Sequence, residues 1–456
     1  MISNKISNLC ININQTILYT LKKFDKNRNN FLIVINSKKK FQGVITISDI
    51  RRALIRGNAI TSKIKKFINV NPFYLKNFNK RNLIDQIHFY NKKINIDPYI
   101  IPVINNENIP VKVINNENLN YYANIKKNKK KILIIGGAGY IGSVLTQLLL
   151  KKGFYVSVLD KFIYQTQTSF KNIFKNKNLR IVKGDTRHLN TVFNLVKTND
   201  IVIHLGEMVG DPLCEKNPDL TFKTNYLASI GIANICKILE ISKFIYVSSC
   251  SIYGESNSNK LLNETSDINP VSTYAKLKVM CEDTILKNIG NFCNTTIIRL
   301  GTVFGNSHRK RYDLVINLFA GLAATNKPIN IFGGNQWRPF IHVLDVCNFI
   351  NKIIVSKKQK KNGEVFNLVG ENTTILKVGN YINKKYGTKI IINDKISDFR
   401  NYKVTSKKAI KNFNFKPKYS IKYGINEIIK ETKKTKINNI LKKKYINVYN
   451  LKKFEK

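Results

Sequence analysis

The sequence predicts an α/β protein with a doubly wound parallel sheet, a smaller C-terminal part and an α+β segment in front of both. Three observations predict this class. A glycine-rich turn joins a buried strand to a helix over residues 132–153. Strands and helices alternate from there to about residue 300, as expected of a parallel sheet. Two strand–turn–strand patterns occupy the first 120 residues.

Length and composition allow two or three cores of ordinary size, because the chain has 456 residues, of which 43% are hydrophobic. The net charge of +49 would favour nucleic acid or an anionic membrane as a partner. The lysines are spread through every segment, however, so we expect neither. The seven cysteines form no CxxC pair and follow no signal peptide. This pattern predicts reduced thiols and a cytoplasmic protein.

The first 120 residues repeat one pattern. The stretches at 29–54 and 97–118 each read as strand, turn and strand. The first, with "GVITISDI", resembles a cystathionine-β-synthase (CBS) domain, in which Thr46 and Asp49 match the ribose-phosphate signature. The second repeat lacks the T-x-x-D element. The resemblance implies a CBS pair over 1–123 that either binds an adenine nucleotide or is structural, followed by a charged linker at 124–131.

The next stretch, "KILIIGGAGYIGSVLTQLLLKKG", reads as a buried strand, a turn and a helix that begins near Tyr140 and Ile141. Gly136 permits the tight turn, Gly139 lets the backbone approach a pyrophosphate, and Gly142 lets the helix pack on the strand. The free N–H groups of the helix N-terminus then face the phosphates. A membrane span over 132–150 is the alternative, but four glycines and several polar residues disfavour it.

The following strand, "FYVSVLD", ends at Asp160. A carboxylate at this distance from the glycines accepts the adenosine ribose hydroxyls and repels a 2′-phosphate, which favours NAD over NADP. A plain strand-end or helix-capping role for Asp160 is the alternative.

Further strands follow at 179–186, 200–207 and 243–254. Together with "GGAGYIG", "IHLGEMVGDP", "SSCSIYG" and "YAKLK", the chain from 130 to 431 resembles the extended short-chain dehydrogenases/reductases. It is most similar to their NAD-dependent nucleotide-sugar epimerase/dehydratase family, which includes UDP-glucose 4-epimerase. The resemblance implies a Rossmann-type NAD-binding domain over 132–300, a nucleotide-sugar-binding part over 301–432 and a homodimer.

The resemblance also assigns roles to single residues. Asp185 would meet the adenine ring, Leu205 would lie beside the cofactor, and Asn225 would bind substrate. The family usually has two alanines after "HL", whereas this chain has Gly206 and Glu207, so the role of Glu207 stays open.

Tyr274 and Lys278 carry the predicted chemistry. Four residues apart on one helix, they share a face, so the ammonium lies beside the phenol and stabilises its phenolate. Tyr274 would then take a proton from a sugar hydroxyl as hydride leaves for NAD. In the resembled family Lys278 also holds the cofactor, and Ser249 matches the serine or threonine that binds the same sugar oxygen.

Two positions bear on the kind of reaction. The 4,6-dehydratases of the family carry an Asp-Glu pair after the active-site threonine, where this chain has Cys250 and Ser251. Epimerisation at C4 is therefore favoured, and 4,6-dehydration and 4-keto reduction are the alternatives. A regulatory protein that senses dinucleotide without turnover is a further alternative, which the Ser249, Tyr274 and Lys278 set disfavours.

The C-terminal part is predicted to hold the nucleotide sugar. Arg338 and Arg400 match the arginines that pair with the diphosphate, and Thr302 stands where a substrate-binding asparagine is usual. His308, Arg309 and Arg311 belong either to the site or to a solvated loop. The basic run 433–456 is expected to be a solvated tail. No cluster has metal-ligand spacing, so no metal is expected.

Overall fold

The protein is described by a computed structural model that covers residues 4–27, 30–72, 74–76, 100–115, 130–256, 260–289, 294–356, 363–393 and 400–455. The chain divides into two compact units, Met1–Asn128 and Lys129–Lys456. Most of the predicted linker, the end of the second repeat and Cys293 lie outside the described residues.

The first unit contains two three-stranded sheets in its described ranges. Their strands are β1 (Cys10–Asn12), β2 (Phe31–Ile35) and β3 (Phe41–Thr46), and β4 (Leu75–Lys76), β5 (Ile100–Ile104) and β6 (Pro110–Asn115). The helices are α1 (Asn4–Ser7), α2 (Ile17–Asn27) and α3 (Ile47–Ile55). Both strand–turn–strand predictions correspond to antiparallel pairs, β2 with β3 and β5 with β6. Leu32 and Ile45 pack against Ile17 and Ile50 in a core of this unit.

The second unit is built on a parallel sheet of seven strands, counted over the described part of the chain, in the order β16-β12-β11-β10-β7-β8-β9. These strands are β7 (Lys131–Ile135), β8 (Tyr155–Asp160), β9 (Leu179–Lys183), β10 (Ile201–His204), β11 (Lys243–Ser249), β12 (Asn294–Leu300) and β16 (Glu364–Leu368). Strand order reverses between β7 and β10, and such a switch point is where α/β sheets bind ligands. The predicted Rossmann-type sheet is confirmed.

Helices cover both faces of this sheet, because its strands alternate buried side chains between two cores. Ile132 and Ile134 point into one core, and Leu133 and Ile135 into the other. The covering helices are α4 (Tyr140–Lys151), α5 (Gln167–Ile173), α6 (Leu189–Val196), α9 (Ala228–Ile238), α10 (Thr273–Ile289) and α12 (Val343–Val355). Between β10 and α9 lie the short helices α7 (Asp211–Lys216) and α8 (Pro218–Thr221) and a π-helical turn at Phe222–Leu227.

The C-terminal part adds two small sheets and their helices. The strands are β13 (Thr302–Phe304), β15 (Trp337–His342) and β17 (Glu371–Thr374), which form one sheet, and β14 (Ile329–Phe332) and β18 (Ile390–Asn393), which form the other. The helices are α11 (Val315–Ala324), α13 (Ile375–Tyr386), α14 (Lys407–Phe413), α15 (Ile421–Lys434) and α16 (Leu451–Glu455). Phe319, Ile331 and Ile425 meet in a third core.

Two parts of the chain differ from the sequence prediction. Strand β16 joins the large sheet beside β12, and helix α12 packs on that sheet's core, so the chain returns to the cofactor-binding domain after residue 300. The run 433–456, predicted to be a solvated tail, packs back onto the unit: Ile440 is fully buried in the third core and Phe454 is 8% exposed. Its described lysines are exposed, as are Leu441 and Tyr449, while Ile440 and Phe454 anchor the run in the interior.

Among the helices in the described ranges, none is both long and apolar enough to cross a membrane. The apolar run at 132–150 forms β7, the glycine turn and most of α4 instead.

Candidate active site

A cavity of about 730 Å³ opens at the carboxyl ends of the central strands, and the glycine turn and α10 both line it. Gly136, Gly139, Tyr140, Ile141, Gly142, Leu205, Ser249, Tyr274, Lys278, Thr302, Arg338 and Arg400 are predicted site residues found in its lining. Residues from seven separated stretches of the sequence therefore meet at one cavity.

The glycine turn follows β7 and ends where α4 begins. Gly136 has φ +82°, and a Cβ on it would lie 2.7 Å from the backbone of Gly206. A Cβ on Gly142 would lie 2.1 Å from the Gly136 carbonyl oxygen, so only glycine fits the contact between helix and strand. Gly139 precedes the helix N-terminus, which faces the cavity. Such a cradle of free N–H groups suits a pyrophosphate.

Asp160 ends β8 and holds the turn in place. Its carboxylate accepts hydrogen bonds from the backbone N–H groups of Ala138 at 2.9 Å and Phe162 at 2.8 Å. Burial raises the pKa of this carboxyl, and the two backbone hydrogen bonds oppose that rise. Asp160 therefore has the structural role that was the alternative; it is not among the residues that line the cavity, and its contact with the adenosine ribose stays a prediction.

Asp185 is surrounded by cations. Lys161 Nζ lies 2.8 Å and Arg187 Nη2 2.7 Å from its Oδ2, and the Arg187 backbone N–H and Nε donate to Oδ1. Burial alone would raise the pKa of this carboxyl, but the bonds from Arg187 and Lys161 hold it below its usual range. Asp185 follows β9, as the sequence predicts, but its carboxylate is already bound by Lys161 and Arg187.

Tyr274 and Lys278 lie on α10 and face the cavity. Lys278 Nζ is 5.6 Å from the centre of the Tyr274 ring. Burial and then the charge of Glu207 raise the pKa of Tyr274 well above its ordinary value. Ser249, at the end of β11, lines the same cavity and accepts a hydrogen bond from the Ser251 N–H at 3.1 Å. The predicted trio is brought together.

Glu207, whose role the sequence left open, contacts Lys278 of this trio. Its side chain is 3% exposed, and its Oε2 lies 2.5 Å from Lys278 Nζ. Tyr246 Oη donates to Glu207 Oε1 at 2.9 Å, and Ser229 Oγ donates to the same atom at 3.3 Å. The departure from the family's alanine at this position was the signal in the sequence, although it did not reveal the ion pair.

The two positions after Ser249 carry no acid. Cys250 is fully buried, and its Sγ donates to the Arg299 carbonyl oxygen at 3.3 Å. Burial raises the pKa of this thiol far above its usual value. Ser251 lines the cavity with a hydroxyl group. Neither side chain supplies a proton donor of carboxylic strength.

The predicted diphosphate arginines also line the cavity. Arg338 on β15 is 6% exposed, and its Nη1 donates to the Trp337 carbonyl oxygen at 3.0 Å. Arg400 Nη1 lies 2.9 Å from Asp211 Oδ2. Thr302 begins β13 and lines the cavity as well. Two guanidinium groups in the cavity lining suit a substrate with a charged end.

Asn225 differs from its prediction as a substrate ligand. It is 2% exposed, its Oδ1 accepts from the Met208 N–H at 2.8 Å, and its Nδ2 donates to the Met208 carbonyl oxygen at 2.8 Å. Both ends of the amide thus hold the loop after β10, and the residue is not part of the cavity lining.

Sequence reasoning missed several lining residues. Arg309, left open between site and solvated loop, is 4% exposed, and its guanidinium lies 4.0 Å from the centre of the Tyr164 ring. Its Nη2 donates to Asn447 Oδ1 at 2.6 Å. Ile446, Asn447 and Val448 from the supposed tail also line the cavity. Arg311 lines it too, paired with Asp313 at 2.9 Å, whereas His308 is exposed beside Gln147.

In the first unit, Thr46 and Asp49 form a capping box at the start of α3. Asp49 Oδ2 accepts from the Thr46 N–H at 2.8 Å and from its Oγ1 at 2.6 Å, and Oδ1 pairs with Arg52. The two signature residues therefore have a structural role that is independent of any nucleotide.

Comparison with known proteins gives the same picture for the second unit. The family described as "NAD dependent epimerase/dehydratase family" matches residues 132–369, more than half of the chain. Within the described residues, no group of three or more His, Cys, Asp or Glu side chains is arranged to hold a metal ion.

Three relatives illustrate the range of similarity. A protein of Methanocaldococcus jannaschii assigned as a UDP-glucose 4-epimerase is 29% identical over 307 residues, 65% of this chain and 97% of its own length. A dTDP-D-glucose 4,6-dehydratase of Dictyostelium discoideum is 30% identical over 258 residues, which are 52% of this chain and 58% of the dehydratase. The structure of UDP-glucuronic acid 4-epimerase from Bacillus cereus, in complex with UDP-glucuronic acid and NAD, is 26% identical with a TM-score of 0.60, covering 67% of this chain and 99% of that one.

Proposed function

Because the chain belongs to the NAD-dependent epimerase/dehydratase family, we propose that it epimerises a nucleoside-diphosphate sugar at C4, with Tyr274 as the base. It is an NAD-dependent enzyme of nucleotide-sugar metabolism. The residues present fit this cofactor. The glycine turn has no room for a side chain at Gly136 or Gly142, and Asp160 stands at the end of the next strand, β8.

NAD, when bound, supplies reversible hydride transfer, and epimerisation requires the hydride to leave one face of the sugar carbon and return to the other. The protein handles the proton. Tyr274 takes it from the C4 hydroxyl and gives it back, and Ser249 positions the same oxygen by a hydrogen bond. Because the pKa of Tyr274 is raised by burial and by Glu207, the phenol is readily protonated, which suits it to return the proton.

The choice of epimerase over dehydratase rests on one observation: the carboxylates that line the cavity are ion-paired. Three carboxylates belong to the cavity lining among the described residues: Glu207, Asp211 and Asp313. Glu207 is paired with Lys278, Asp211 with Arg400, and Asp313 with Arg311. Elimination of the C6 hydroxyl needs an acid and a base at the hexose, and every carboxylate in this lining already neutralises a cation.

The nucleotide end of the substrate is proposed to lie against Arg338 and Arg400, with Thr302 toward the sugar. Guanidinium groups give paired hydrogen bonds to phosphate oxygens. UDP-glucose and UDP-glucuronic acid are the first compounds to test, since a uridine diphosphate sugar is named for the relatives in Methanocaldococcus jannaschii and Bacillus cereus.

The test is to incubate the purified protein with UDP-, GDP-, CDP- and dTDP-sugars and to follow the products by NMR. We expect interconversion of C4 epimers without added NADH or NADPH and without net change in nicotinamide absorbance. A 4-keto-6-deoxy product would identify a dehydratase, and steady consumption of NADPH would identify a reductase. If no nucleotide sugar is converted, the proposal fails.

We further propose that the first unit is a CBS pair and that the enzyme is a homodimer. The two antiparallel strand pairs and the α3 start support the CBS assignment. Apolar side chains at the surface around α9 and α10 support a dimer: Leu227 is 50%, Ile238 71% and Met280 42% exposed. Adenine nucleotide titration and analytical ultracentrifugation test the two proposals separately.

A further inference from the structure

Glu207 and Lys278 form a buried ion pair beside the catalytic phenol. The two side chains are 3% and 5% exposed, and their charged atoms are 2.5 Å apart. A buried pair of this kind is seldom retained for stability, because taking both charges out of water costs about as much as their attraction returns. The pair is therefore expected to serve the chemistry of the site.

The Lys278 ammonium is held by three groups other than Tyr274. It donates to the Val247 carbonyl oxygen at 2.6 Å and to Tyr246 Oη at 3.2 Å, and it forms an ion pair with Glu207 Oε2 at 2.5 Å. The ammonium therefore stabilises a phenolate at Tyr274 only through space, from 5.6 Å to the ring centre, and the adjacent carboxylate cancels much of that attraction.

The other charged groups around Tyr274 do not replace the cancelled attraction. Asp211 and Cys214, from the segment after β10, oppose ionisation of the phenol, and Arg311, from the segment after β13, favours it. Tyr164 packs in the same apolar cluster as Tyr274. Asp211 is paired with Arg400, and Arg311 with Asp313. Glu207 is thus the carboxylate that pairs with Lys278 and also opposes ionisation of Tyr274.

We propose that Glu207 is a positioning residue for the reaction: it fixes the Lys278 ammonium away from the Tyr274 hydroxyl and keeps that phenol protonated until a positive charge is brought into the cavity. This inference rests on the proposed function, in which Tyr274 is the base. It explains why a carboxylate occupies a position where the resembled family has a small residue, since the carboxylate links formation of the base to arrival of the oxidised cofactor.

The test titrates the Tyr274 phenol directly, without substrate. Tyrosinate absorbance is followed against pH in the NAD-loaded protein, and the curve of the Tyr274→Phe variant is subtracted to isolate Tyr274. The same difference is measured in the Glu207→Gln background. We expect the transition to move to lower pH by about one unit or more, because a negative charge near the phenol is removed. Coincident curves, including two curves with no transition while the protein stays folded, overturn the proposal.

Further variants control for the loss of a hydrogen bond to Glu207 and for a failure of Glu207→Gln to fold. Ser229→Ala removes the weak hydrogen bond to Glu207 but leaves its charge, so its curve should match that of the wild type. If Glu207→Gln does not fold, the comparison is made between Lys278→Met and the Glu207→Gln/Lys278→Met double variant, in which no unpaired ammonium is buried. The double variant should again titrate at lower pH, and equal curves would again reject the proposal.

The pH dependence of kcat gives a second measurement, which a purely structural role of Glu207 would leave unchanged. In Glu207→Gln the acid limb of the kcat profile should shift to lower pH in the same direction as the titration, with KM for the sugar within about twofold. If no nucleotide sugar is converted, the proposed function fails while the titration still decides the role of Glu207. A fall in kcat at every pH with an unmoved acid limb would make the ion pair structural.

Discussion

At the scale of single residues, Tyr274 lines the cavity together with two other phenols of raised pKa, Tyr140 and Tyr164, but it is the one that shares helix α10 with Lys278, a lysine held by other partners. Tyr274→Phe keeps the ring that packs against Met208 and Leu213 but removes the acidic proton. We expect turnover to fall about 100-fold or more, the usual contribution of a general base, while NAD stays bound. Product formation and the absorbance of the bound cofactor measure the two effects.

Tyr226→Phe is the matched control for that prediction. Tyr226 also loses a hydroxyl group, one that is hydrogen-bonded to Thr284 at 3.1 Å and lies outside the cavity lining. This variant should retain wild-type turnover within about twofold. If Tyr274→Phe keeps a tenth of the activity, a loss of only about 1.4 kcal/mol, the base is another group.

Asp185 gives a prediction for pH dependence. Despite burial, Arg187 and Lys161 lower the pKa of the Asp185 carboxyl in the folded protein. The stability that these ion pairs contribute is therefore fully present above the pKa of the unfolded state, about 3.9, and is lost as pH falls through the pKa of the folded state. Asp185→Asn should lower the free energy of unfolding by about 1–2 kcal/mol at pH 7, because Lys161 and Arg187 are 23% and 26% exposed and solvent screens them.

Chemical denaturation of both proteins at several pH values measures that difference. The gap between wild type and Asp185→Asn should narrow below about pH 4. Asp219→Asn, which breaks an exposed pair with Lys223, should change stability by less than about 0.5 kcal/mol at any pH. A gap that is constant down to low pH would mean that Asp185 acts through shape and not through charge.

At the scale of elements, prediction from sequence succeeds where the pattern is local. The glycine turn and the four-residue spacing of Tyr274 and Lys278 are each set by neighbours along the chain, and the structure brings them together at one cavity. Asp160, at the end of the next strand, holds that turn through the Ala138 N–H. Three other features depend on partners that are distant in the sequence or that no pattern marks. Glu207 pairs with Lys278, 71 residues away, and Asn225 holds the backbone of Met208, 17 residues away. Asp185 is surrounded by Lys161 and Arg187, two cations that no pattern marks.

The C-terminal segment shows the same limit. Its lysines dominate the sequence and predict a solvated run, yet a few apolar and amide side chains set its path. Ile440 enters the third core, Asn447 Nδ2 donates to the Val209 carbonyl oxygen at 2.8 Å, and the Phe454 carbonyl oxygen accepts from Lys161 at 2.8 Å. Composition averages over such anchors, so charge alone gives the wrong environment.

That packing predicts a loss when the segment is removed. A protein ending at Thr435 should stay folded through its central sheet but bind nucleotide sugar at least about tenfold more weakly, because Asn447 and its neighbours no longer close the cavity and Arg309 loses its partner at 2.6 Å. Calorimetry measures the affinity. Neutralising the exposed Lys442 and Lys452 to Gln should leave it unchanged within about twofold, and equal losses in both proteins would assign the effect to charge.

In the first unit, the start of α3 allows a separate prediction. Asp49→Ala removes the acceptor for the Thr46 N–H and should destabilise this unit by about 1 kcal/mol whether or not adenine nucleotide is present. Thr46→Ser, which keeps the capping oxygen, should change stability much less. Denaturation with and without nucleotide separates the readings. Weaker nucleotide binding without loss of stability would favour the ribose-binding role that the CBS resemblance implies.

At the scale of the whole molecule, the two units have separate cores. The cores around Ile17 and Ile33 draw their buried residues from the first unit, and the cores around the large sheet draw theirs from the second. The catalytic trio and the cavity lining all lie beyond residue 135. We therefore expect the catalytic unit to fold without the first unit, since among the described residues each of these cores draws its side chains from one unit.

A protein that begins at Lys129 should accordingly be soluble, retain NAD and turn over substrate at a rate within about threefold of the full chain, because no lining residue is removed. The isolated first unit should show a cooperative thermal transition by circular dichroism. The matched comparison is a protein that begins at Gly137, which lacks β7, the central strand beside the switch point, and should not fold. If the Lys129 protein aggregates as the Gly137 protein does, the first unit contributes to the catalytic core; if it folds but loses turnover, the first unit acts on the site by regulation or assembly.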